Sequence, residues 1–418
     1  MITASSQSMT TTALMTTLFL TTTTSLVAPI TTASPQSTTT TTLMTTLFLT
    51  TTTSLVTPIT TASPQSTTIS TSTLTLTTTA TSTPQQPGWM NTGSMNNGRQ
   101  YHTSSVLTNG KVLVTGGLSY VTVLNSAELY DSLTGTWTTT GSMNNARQDH
   151  EASILTNGKV LVTGGRDSSV LNSAELYDPS AGTWAITESM NDARAHHTAS
   201  VLTDGKVLVS GGHNGNVYLN SSELYDPLTE VWISTSNMND ARYGHSTSLL
   251  TNGKALVIGG YNGTALNKAE IYDPSTGIWT STSNMNNIRF FHTASILTNG
   301  KILVTAGWDG FSLYDSAELY DPSTETWTIT GSLNSRRQYH TASVLMNGKV
   351  LITGGYRGFI LDSVELYDPL TGIWTTTNSM NDARFNHVAS VLTNGKVLVT
   401  GGYGNAVALN STELYQSS

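Results

Sequence analysis

The chain has 418 residues, a formal net charge of -8 and only 11% charged residues. This acidic balance argues against a protein whose partner is the phosphate backbone of a nucleic acid. The sequence contains no cysteine, which excludes disulfides, thiolate metal sites and cysteine nucleophiles.

The first 88 residues form a low-complexity segment that is rich in Thr and Ser and lacks Lys, Arg, Asp, Glu and His. The segment contains a tandem duplication whose copies begin at Leu14 and Leu43, 29 residues apart. Because few large side chains are available for burial, we predict that residues 1–88 are disordered. The composition is typical of an O-glycosylated stalk, and a spacer expanded by replication slippage is the alternative.

No apolar run reaches the roughly 20 residues that cross a bilayer, so we expect no transmembrane segment. A secretory signal normally has a basic start and an uninterrupted apolar region. Residues 13–20 are apolar but interrupted by Thr, and no basic side chain precedes them. The sequence therefore leaves open whether a cleaved signal peptide or another membrane anchor is present.

A repeated unit of 47 or 48 residues fills the chain from Trp89 onward. A fixed period of this length is typical of architectures in which similar supersecondary units stack on their neighbours. An Arg-x-x-His element marks each unit, and its histidines are His102, His150, His197, His245, His292, His340 and His387.

The second unit illustrates the predicted elements, which are four short strands joined by turns. The predicted strands are, in chain order, residues 151–155, 160–163, 174–177 and 184–187. Asn157-Gly158 lies in the first turn, where we expect a two-residue hairpin with positive φ values. Asp178-Pro179 lies in the turn between the third and fourth strands. Each unit is therefore predicted to be a four-stranded antiparallel meander that is apolar on both faces.

Seven units have the first three strands, but only six are followed by a fourth strand with Trp. Trp89–Arg99 aligns without a gap on Trp137–Arg147, which contains one of these fourth strands. We therefore predict an all-β fold in which residues 89–418 form a seven-bladed β-propeller of four-stranded antiparallel blades. The N-terminal strand is expected to complete the last blade and close the ring.

The combination of Arg-x-x-His, Gly-Gly, Glu-Leu-Tyr-Asp-Pro and Trp at this period resembles the Kelch repeat. The form Leu-Thr-Asn-Gly-Lys-Val-Leu-Val-Thr-Gly-Gly is most similar to the Kelch units in the central domain of galactose and glyoxal oxidases. The resemblance implies a propeller, a fold that has many functions. Those oxidases use a copper ion and a tyrosine cross-linked to a cysteine, and this chain has no cysteine. We therefore expect no cofactor and favour a protein that is not an enzyme.

One Arg, one His, one Lys and one Glu recur in each unit at fixed positions. A residue that occurs once per unit is most simply part of the construction of the blade, because repeats contact mainly their neighbours. We therefore interpret these residues as structural and predict no metal site, although a ring of seven histidines could also suggest one. The recurring Tyr and Trp are interpreted as core residues, and the glycine pairs as sites of unusual backbone geometry.

The positions that differ between units lie before the first strand and after the second strand. In an up-and-down meander, these two loops lie on one face of the ring, and the Asn-Gly and Asp-Pro turns lie on the other. The variable loops are rich in aromatic residues, His and Arg, which are favoured in recognition sites. We predict a ligand-binding face that contains Tyr101, Asp149, Arg166, His196, His213, Tyr243, Tyr261, Phe291, Trp308, Asp309, Tyr339, Tyr356, Arg357 and Tyr403.

We expect this face to bind a protein or a glycan, with no catalytic residue and no nucleic-acid partner. The alternative is an enzyme, either one related to the oxidases or a sugar-isomerising propeller. In the second case His196, His213, Arg166 or Arg357 would form the site. No pair of carboxylates and no triad spacing supports an enzyme.

Three sequons for N-glycosylation, at Asn220, Asn262 and Asn410, all follow the second strand of their unit. Together with the Thr-rich segment they indicate an extracellular or secreted protein. A cytoplasmic location is the alternative, since this motif arises often by chance in a chain rich in Ser and Thr.

Overall fold

The computed structural model describes residues 88–417, which form strands, turns and loops without a helix. The strands assemble into seven four-stranded antiparallel sheets, which we call blades 1–7 in the order of their inner strands. The predicted disordered segment, apart from Gly88, lies outside the described residues. Within the described range no helix is long and apolar enough to cross a bilayer.

The first described strand is β1 (Gly88–Asn91), and blades 1–3 follow it. Blade 1 consists of β2 (Thr103–Val106), β3 (Val112–Thr115), β6 (Ala127–Asp131) and β7 (Thr136–Thr139), with a small hairpin of β4 (Leu118–Ser119) and β5 (Thr122–Val123) between β3 and β6. Blade 2 consists of β8 (Glu151–Ile154), β9 (Val160–Thr163), β10 (Ala174–Asp178) and β11 (Thr183–Ile186). Blade 3 consists of β12 (Thr198–Val201), β13 (Val207–Ser210), β14 (Ser222–Asp226) and β15 (Val231–Ser234).

Blades 4–6 repeat this pattern, and blade 7 is built from both ends of the described chain. Blade 4 consists of β16 (Ser246–Leu249), β17 (Ala255–Ile258), β18 (Ala269–Asp273) and β19 (Ile278–Ser281). Blade 5 consists of β20 (Thr293–Ile296), β21 (Ile302–Thr305), β22 (Ala317–Asp321) and β23 (Thr326–Ile329). Blade 6 consists of β24 (Thr341–Val344), β25 (Val350–Thr353), β26 (Val364–Asp368) and β27 (Ile373–Thr377). Blade 7 consists of β28 (Val388–Val391), β29 (Val397–Thr400), β32 (Thr412–Gln416) and β1, with a hairpin of β30 (Tyr403–Gly404) and β31 (Val407–Ala408).

The ring closes through the N-terminal strand, which confirms the predicted fold. β1 pairs antiparallel with β32, and Trp89 lies opposite Tyr415. The ring centroids of these two residues are 5.2 Å apart. The inner strands contact one another in chain order from β2 to β28, and β28 contacts β2. Residues 88–417 therefore form an all-β, seven-bladed propeller.

The core lies between adjacent blades, because each sheet is covered on both faces by its neighbours. In each blade, all four residues of the second strand are buried, from β3 in blade 1 to β29 in blade 7. One cluster combines Leu161 and Leu176 of blade 2 with Val207, Val209 and Tyr225 of blade 3. Equivalent clusters join the other blades. Burial of these apolar side chains favours the closed ring over isolated sheets.

The recurring Arg and Glu form a buried ion pair inside each blade. In blade 2, Arg147 Nη2 donates to Glu175 Oε1 at 2.8 Å, and both side chains are almost fully buried. Arg147 Nη1 donates to the carbonyl of Gly164 at 2.7 Å. The other carboxylate oxygen of Glu175 accepts from the backbone and side-chain nitrogens of Asn144. The same ion pair occurs in all seven blades. It links the loop before the first strand of each blade to the third strand of the same blade.

The recurring His joins each blade to the preceding one. His150, at the entry to blade 2, is 3.0 Å from Thr103 Oγ1 and 3.3 Å from Thr115 Oγ1 of blade 1 through its Nε2 atom. Burial lowers the pKa of His150 well below its usual value, and the six equivalent histidines shift in the same direction. These side chains are therefore neutral hydrogen-bonding groups near neutral pH.

The turn between the first two strands differs from the predicted two-residue hairpin. Five residues, 155–159, separate β8 from β9, and only Gly158 has a positive φ, of 82°. Asn157 Oδ1 accepts from the backbone nitrogen of Lys159 at 3.0 Å. This bond stabilises a longer turn that needs a single left-handed residue. The strand bounds also differ from the prediction by one residue at the ends of β8, β10 and β11.

Candidate ligand-binding site

The loop before the first strand and the loop after the second strand meet on one face of the ring. In blade 2 the two loops pair through an antiparallel bridge between Gln148 and Arg166. The same bridge occurs in the other six blades, at Gln100–Leu118, Ala195–His213, Tyr243–Tyr261, Phe290–Trp308, Gln338–Tyr356 and Phe385–Tyr403. We call this surface the loop face.

On the loop face, the residue before the recurring His of each unit has a left-handed backbone conformation. This region costs energy for residues other than Gly, and it often marks a functional constraint. The residues and their φ angles are Tyr101 (54°), Asp149 (54°), His196 (50°), Gly244 (60°), Phe291 (51°), Tyr339 (54°) and Asn386 (51°).

Backbone hydrogen bonds link these seven positions around the ring axis. Asp149 N donates to the Tyr101 carbonyl at 3.2 Å, and His196 N donates to the Asp149 carbonyl at 3.1 Å. Gly244, Phe291 and Asn386 donate in the same way to the preceding position, and Tyr101 donates to Asn386. The left-handed residues thus form a chain of amides at the centre of the loop face, which fixes where their side chains begin.

A cavity of about 500 Å³ opens on the loop face above these residues. Its volume is within the usual range for sites that receive small ligands. It is lined by Tyr101, Arg166, His196, His213, Gly215, Asn216, Val217, Tyr218, Tyr243, Phe291, Trp308 and Tyr339. We call it the central cavity.

A polar cluster forms one wall of the central cavity. Arg166 Nε donates to Asp149 Oδ2 at 2.7 Å, and His196 Nε2 is 3.6 Å from the same oxygen. The Asp149 side chain is only 2% exposed, whereas that of Arg166 is 41% exposed. The rings of His196 and His213 are 5.8 Å apart. Asp149 therefore lies behind the wall and orients Arg166, which reaches the cavity.

Aromatic rings form the other wall. Tyr218 and Tyr243 stack almost in parallel, with centroids 5.3 Å apart and an angle of 8° between the rings. Phe291 packs against Tyr339 at 4.5 Å and meets Tyr243 edge-on at 5.7 Å. Such rings offer flat apolar surfaces that are already fixed by their neighbours.

Burial controls the charge of the cavity lining. It lowers the pKa of His196, although the nearby Asp149 carboxylate acts in the opposite direction. It also lowers the pKa of His213, and the His196 ring adds to this shift. Desolvation raises the pKa of the Tyr339 phenol. Near neutral pH, Arg166 is therefore the only charged side chain among the twelve that line the cavity.

Eight of the fourteen predicted residues line the central cavity, and six do not. Asp149 supports Arg166 from behind. Asp309 accepts bonds from its own loop, from the backbone nitrogens of Phe311 and Ser312 and from the Tyr314 hydroxyl. The other four are held by neighbouring aromatic rings or lie elsewhere on the face: Tyr261 packs on Phe290, Tyr356 and Tyr403 pack on Phe385, and Arg357 covers Phe359.

Arg357 belongs to a second cavity of about 640 Å³ on the same face. This cavity lies between blades 5 and 6, and its lining includes Phe311, Asp315, Asn334 and Arg336. Arg336 Nε is 3.5 Å from Asp315 Oδ2, and both side chains are largely exposed. The structure therefore does not bring Arg357 together with Arg166.

Four residues of the central cavity were absent from the sequence prediction. They are Gly215, Asn216, Val217 and Tyr218, in the loop after β13. A further bridge closes this loop on itself. It joins His213 to Tyr218 in blade 3 and Arg166 to Val170 in blade 2. The loop is therefore one residue longer than its counterpart. This extra residue was a visible signal in the sequence, because it displaces Tyr218 from the position of Val170.

Two of the three sequons coincide with a structural asparagine. Asn220 Nδ2 donates to the Met238 carbonyl at 3.1 Å, and Asn410 Nδ2 donates to the Met95 carbonyl at 3.2 Å. Asn172 makes the same bond without being part of a sequon. Asn262 lies in the loop itself, and its side-chain oxygen accepts from Thr264 Oγ1 at 3.4 Å. The motif at Asn220 and Asn410 therefore has a structural explanation.

A model of the Kelch motif matches six segments of the chain, which together cover more than half of it. The segments are residues 101–144, 152–191, 194–239, 242–286, 289–334 and 339–381. The chain belongs to the Kelch family. The seventh blade of this Kelch propeller follows the last matched segment and takes its outer strand from β1.

Among solved structures, the Kelch chain is similar to a fungal alcohol oxidase described as having catalytic diversity among the AA5 family, in complex with copper. The TM-score is 0.67 and the identity 18%, and the match covers 79% of this chain and 76% of the other. At this identity the likeness shows the propeller fold alone. A search of curated proteins gives no match to the chain.

A copper ion of the kind in that structure would need a set of ligands in this chain. Within residues 88–417, no group of three or more His, Cys, Asp or Glu residues is placed to bind a metal ion. The chain has no cysteine for a cross-linked tyrosine. The donor set therefore does not fit a copper radical centre of the type that the oxidases use.

Proposed function

We propose that this Kelch propeller is a recognition protein that binds a glycan in the central cavity of the loop face. The observation that carries the proposal is the combination of aromatic and polar side chains in the lining of one cavity of about 500 Å³. Stacked tyrosines form one wall, and Arg166 and two histidines form the other. Sugar rings have apolar faces and hydroxyl edges, so they suit a site with both kinds of wall.

The cavity favours a glycan over a folded protein as the ligand. Its lining is concave and centred near the ring axis, and Gly215, Asn216 and Val217 form part of the wall. A protein partner would have to insert a loop or a side chain to reach Tyr243 and Phe291. Exposed aromatic residues of the loop face outside the central cavity, such as Phe311 at 96% exposure, would add contacts for a protein partner. Capture of a protein through these residues is therefore the second outcome that an experiment should test.

The absence of carboxylates from the cavity lining supports recognition over sugar isomerisation. Asp149 is the nearest carboxylate behind the wall, and its side chain is 2% exposed and bound to Arg166. A general base must reach the proton that it abstracts. His196 and His213 remain the candidates of an enzymatic alternative, with pKa values lowered by burial.

We further propose an extracellular setting for this function. The Thr-rich composition of residues 1–88 and the loop sequon at Asn262 support it. Expression in a secretory host followed by intact-mass measurement tests this point. A glycan attached at Asn262, and none at Asn220 or Asn410, is the expected pattern.

A glycan array probed with the full chain tests the recognition proposal directly. We expect binding to a related subset of glycans, and loss of that binding in Tyr243→Ala, because this change removes one ring of the stacked pair. Phe311→Ala is the matched control, since Phe311 is an exposed aromatic residue outside the central cavity. Binding that disappears equally in both variants would contradict the proposed site.

The enzymatic alternative has its own readout. The full chain is analysed for copper and tested for release of hydrogen peroxide from sugars, alcohols and aldehydes. Stoichiometric copper together with peroxide release, or turnover of a free sugar that depends on His213, would replace recognition by catalysis. A glycan-binding chain without turnover supports the proposal.

A further inference from the structure

We propose that the sugar unit in the central cavity carries a carboxylate, and that Arg166 binds this carboxylate through its two terminal nitrogens. The inference rests on the proposed glycan-binding function and specifies its substrate class as acidic saccharides. A planar guanidinium presents two parallel donors that match a carboxylate, which a lysine does not.

The contacts of Arg166 leave these two donors available. Asp149 Oδ2 accepts from Nε at 2.7 Å. Within the described residues, the Nη1 and Nη2 atoms have no protein partner, and 41% of the side chain is exposed. A bond at Nε alone fixes the plane of the guanidinium while its outer edge remains free. The cavity therefore contains an oriented donor pair in its polar wall.

Asp149 holds this donor pair in position. Its side chain is 2% exposed and lies between Arg166 and His196. Its backbone has a φ of 54° and takes part in the chain of amides around the ring axis. The same left-handed conformation occurs at all seven equivalent positions, so it belongs to the construction of the ring. What distinguishes Asp149 is its buried carboxylate, which holds Arg166 and lies beside His196. Asp149 is therefore a positioning residue, and Arg166 is the residue that would contact the ligand.

The charge of the lining also favours one negative group on the ligand. Arg166 is the only charged lining residue near neutral pH, and no carboxylate lines the cavity to repel an anion. In blade 6, the residue equivalent to Arg166 is Tyr356, and in blade 4 it is Tyr261. The cation thus occurs once among seven equivalent positions, in the same cavity as the aromatic rings that would receive the sugar ring.

The test compares sugars that differ only in the acidic group. Calorimetric titration of the full chain uses oligomers of D-galacturonic and D-glucuronic acid, their neutral counterparts and their methyl esters. We expect the acids to bind at least about tenfold more tightly than the neutral sugars and the esters. The esters alter the ligand and leave the protein unchanged, so this comparison does not depend on the folding of any variant.

Variants of Arg166 give the second arm of the test. Arg166→Gln should lower the affinity for uronic acids by at least about tenfold and that for neutral sugars by much less. Arg166→Lys should recover only part of the loss, because it restores the charge without the planar fork. Asp149→Asn should weaken acid binding and make it more sensitive to salt. Arg336→Gln, in the second cavity, should leave binding unchanged.

The outcomes separate the inference from the proposed function. If acidic and neutral sugars bind equally and Arg166→Gln changes neither, the inference is overturned and glycan recognition stands. If sulfated sugars or acidic peptides bind through Arg166 and uronic acids do not, the carboxylate saccharide is the wrong ligand class. If no sugar of any kind binds, the proposed function fails and the inference fails with it.

Discussion

Glu151 is an exception among seven equivalent residues at the start of the inner strands. The other blades have Thr103, Thr198, Ser246, Thr293, Thr341 and Val388 at this position. In blade 1, the Thr103 hydroxyl contacts the recurring His of the next blade. In blade 2, Thr163 alone makes this contact with His197. Desolvation raises the pKa of Glu151 from 4.5 to about 8, so its ionised form opposes folding.

Replacing Glu151 should stabilise the ring in a pH-dependent way. The unfolded chain loses the Glu151 proton near pH 4.5 and the folded chain near pH 8, so the penalty grows as pH rises between these values. Both Glu151→Thr and Glu151→Gln should therefore raise the free energy of unfolding, with a gain that is up to about 3 kcal/mol larger at pH 9 than at pH 6. Urea denaturation measures it. A gain that does not change with pH would mean that shape, not charge, is responsible.

At the scale of elements, the seven neutral histidines make the joints between blades sensitive to acid. Their pKa values in the folded ring are far below 6.5, and that of His292 is about 3. The unfolded chain takes up these protons near pH 6.5, whereas the folded chain excludes them. Their contribution to stability is therefore complete above pH 6.5 and is lost as pH falls below it.

We expect a steep fall in the stability of the ring below pH 6.5. Each buried histidine costs about 1.4 kcal/mol per pH unit in this range, and seven act together. Glu151 changes in the opposite direction, but it is one group against seven. Urea denaturation between pH 8 and pH 5 measures how the free energy of unfolding changes with pH. His292→Gln should lower the number of protons taken up on unfolding by about one. Equal stability at pH 7.5 and pH 5 would contradict neutral, desolvated histidines.

The elements also show what the sequence could predict and what it could not. The repeat period fixed the strand order, the blade count and the pairing of Trp89 with the last blade, because each unit has one register that buries its apolar residues. The loops obey no such constraint. Tyr356 and Tyr403 lie on the loop face, but their rings pack on Phe385 instead of lining the cavity. Packing between neighbouring loops determines which rings line the cavity, and the sequence of a single unit does not show how its loops pack on those of the next.

The residues of the polar wall were candidates one by one, and their grouping was not predicted. Arg166, His196 and His213 break the template, and this identified them as candidates. Their grouping depends on the curvature of the ring, which places blades 2 and 3 around one cavity and blades 5 and 6 around another. Tyr218 was missed because the longer loop of blade 3 shifts its alignment.

For the whole molecule, closure through β1 should determine stability. Deleting residues 1–84 keeps β1, which begins at Gly88, and should leave the melting temperature unchanged. Deleting residues 1–98 removes Trp89, which packs on Tyr415 and donates from Nε1 to the Asn378 carbonyl at 2.9 Å. Trp89 is partly buried against the core, so its loss should cost up to the roughly 3–5 kcal/mol of a fully buried Trp, and the exposed edge of β32 favours aggregation. Identical melting of the two truncations would mean that β1 does not close the ring.

Affinity measured with variants on both faces of the ring tests most directly whether the central cavity is the binding site. The ligand is the best-bound glycan of the array, titrated into the wild type, Trp308→Ala and Lys254→Ala. Trp308 lines the cavity, whereas Lys254 lies in the opposite turns and pairs with Asp273 at 2.9 Å. We expect Trp308→Ala to weaken binding by about 1–4 kcal/mol without unfolding the ring, and Lys254→Ala to have little effect. Equal losses in both variants would contradict recognition on the loop face.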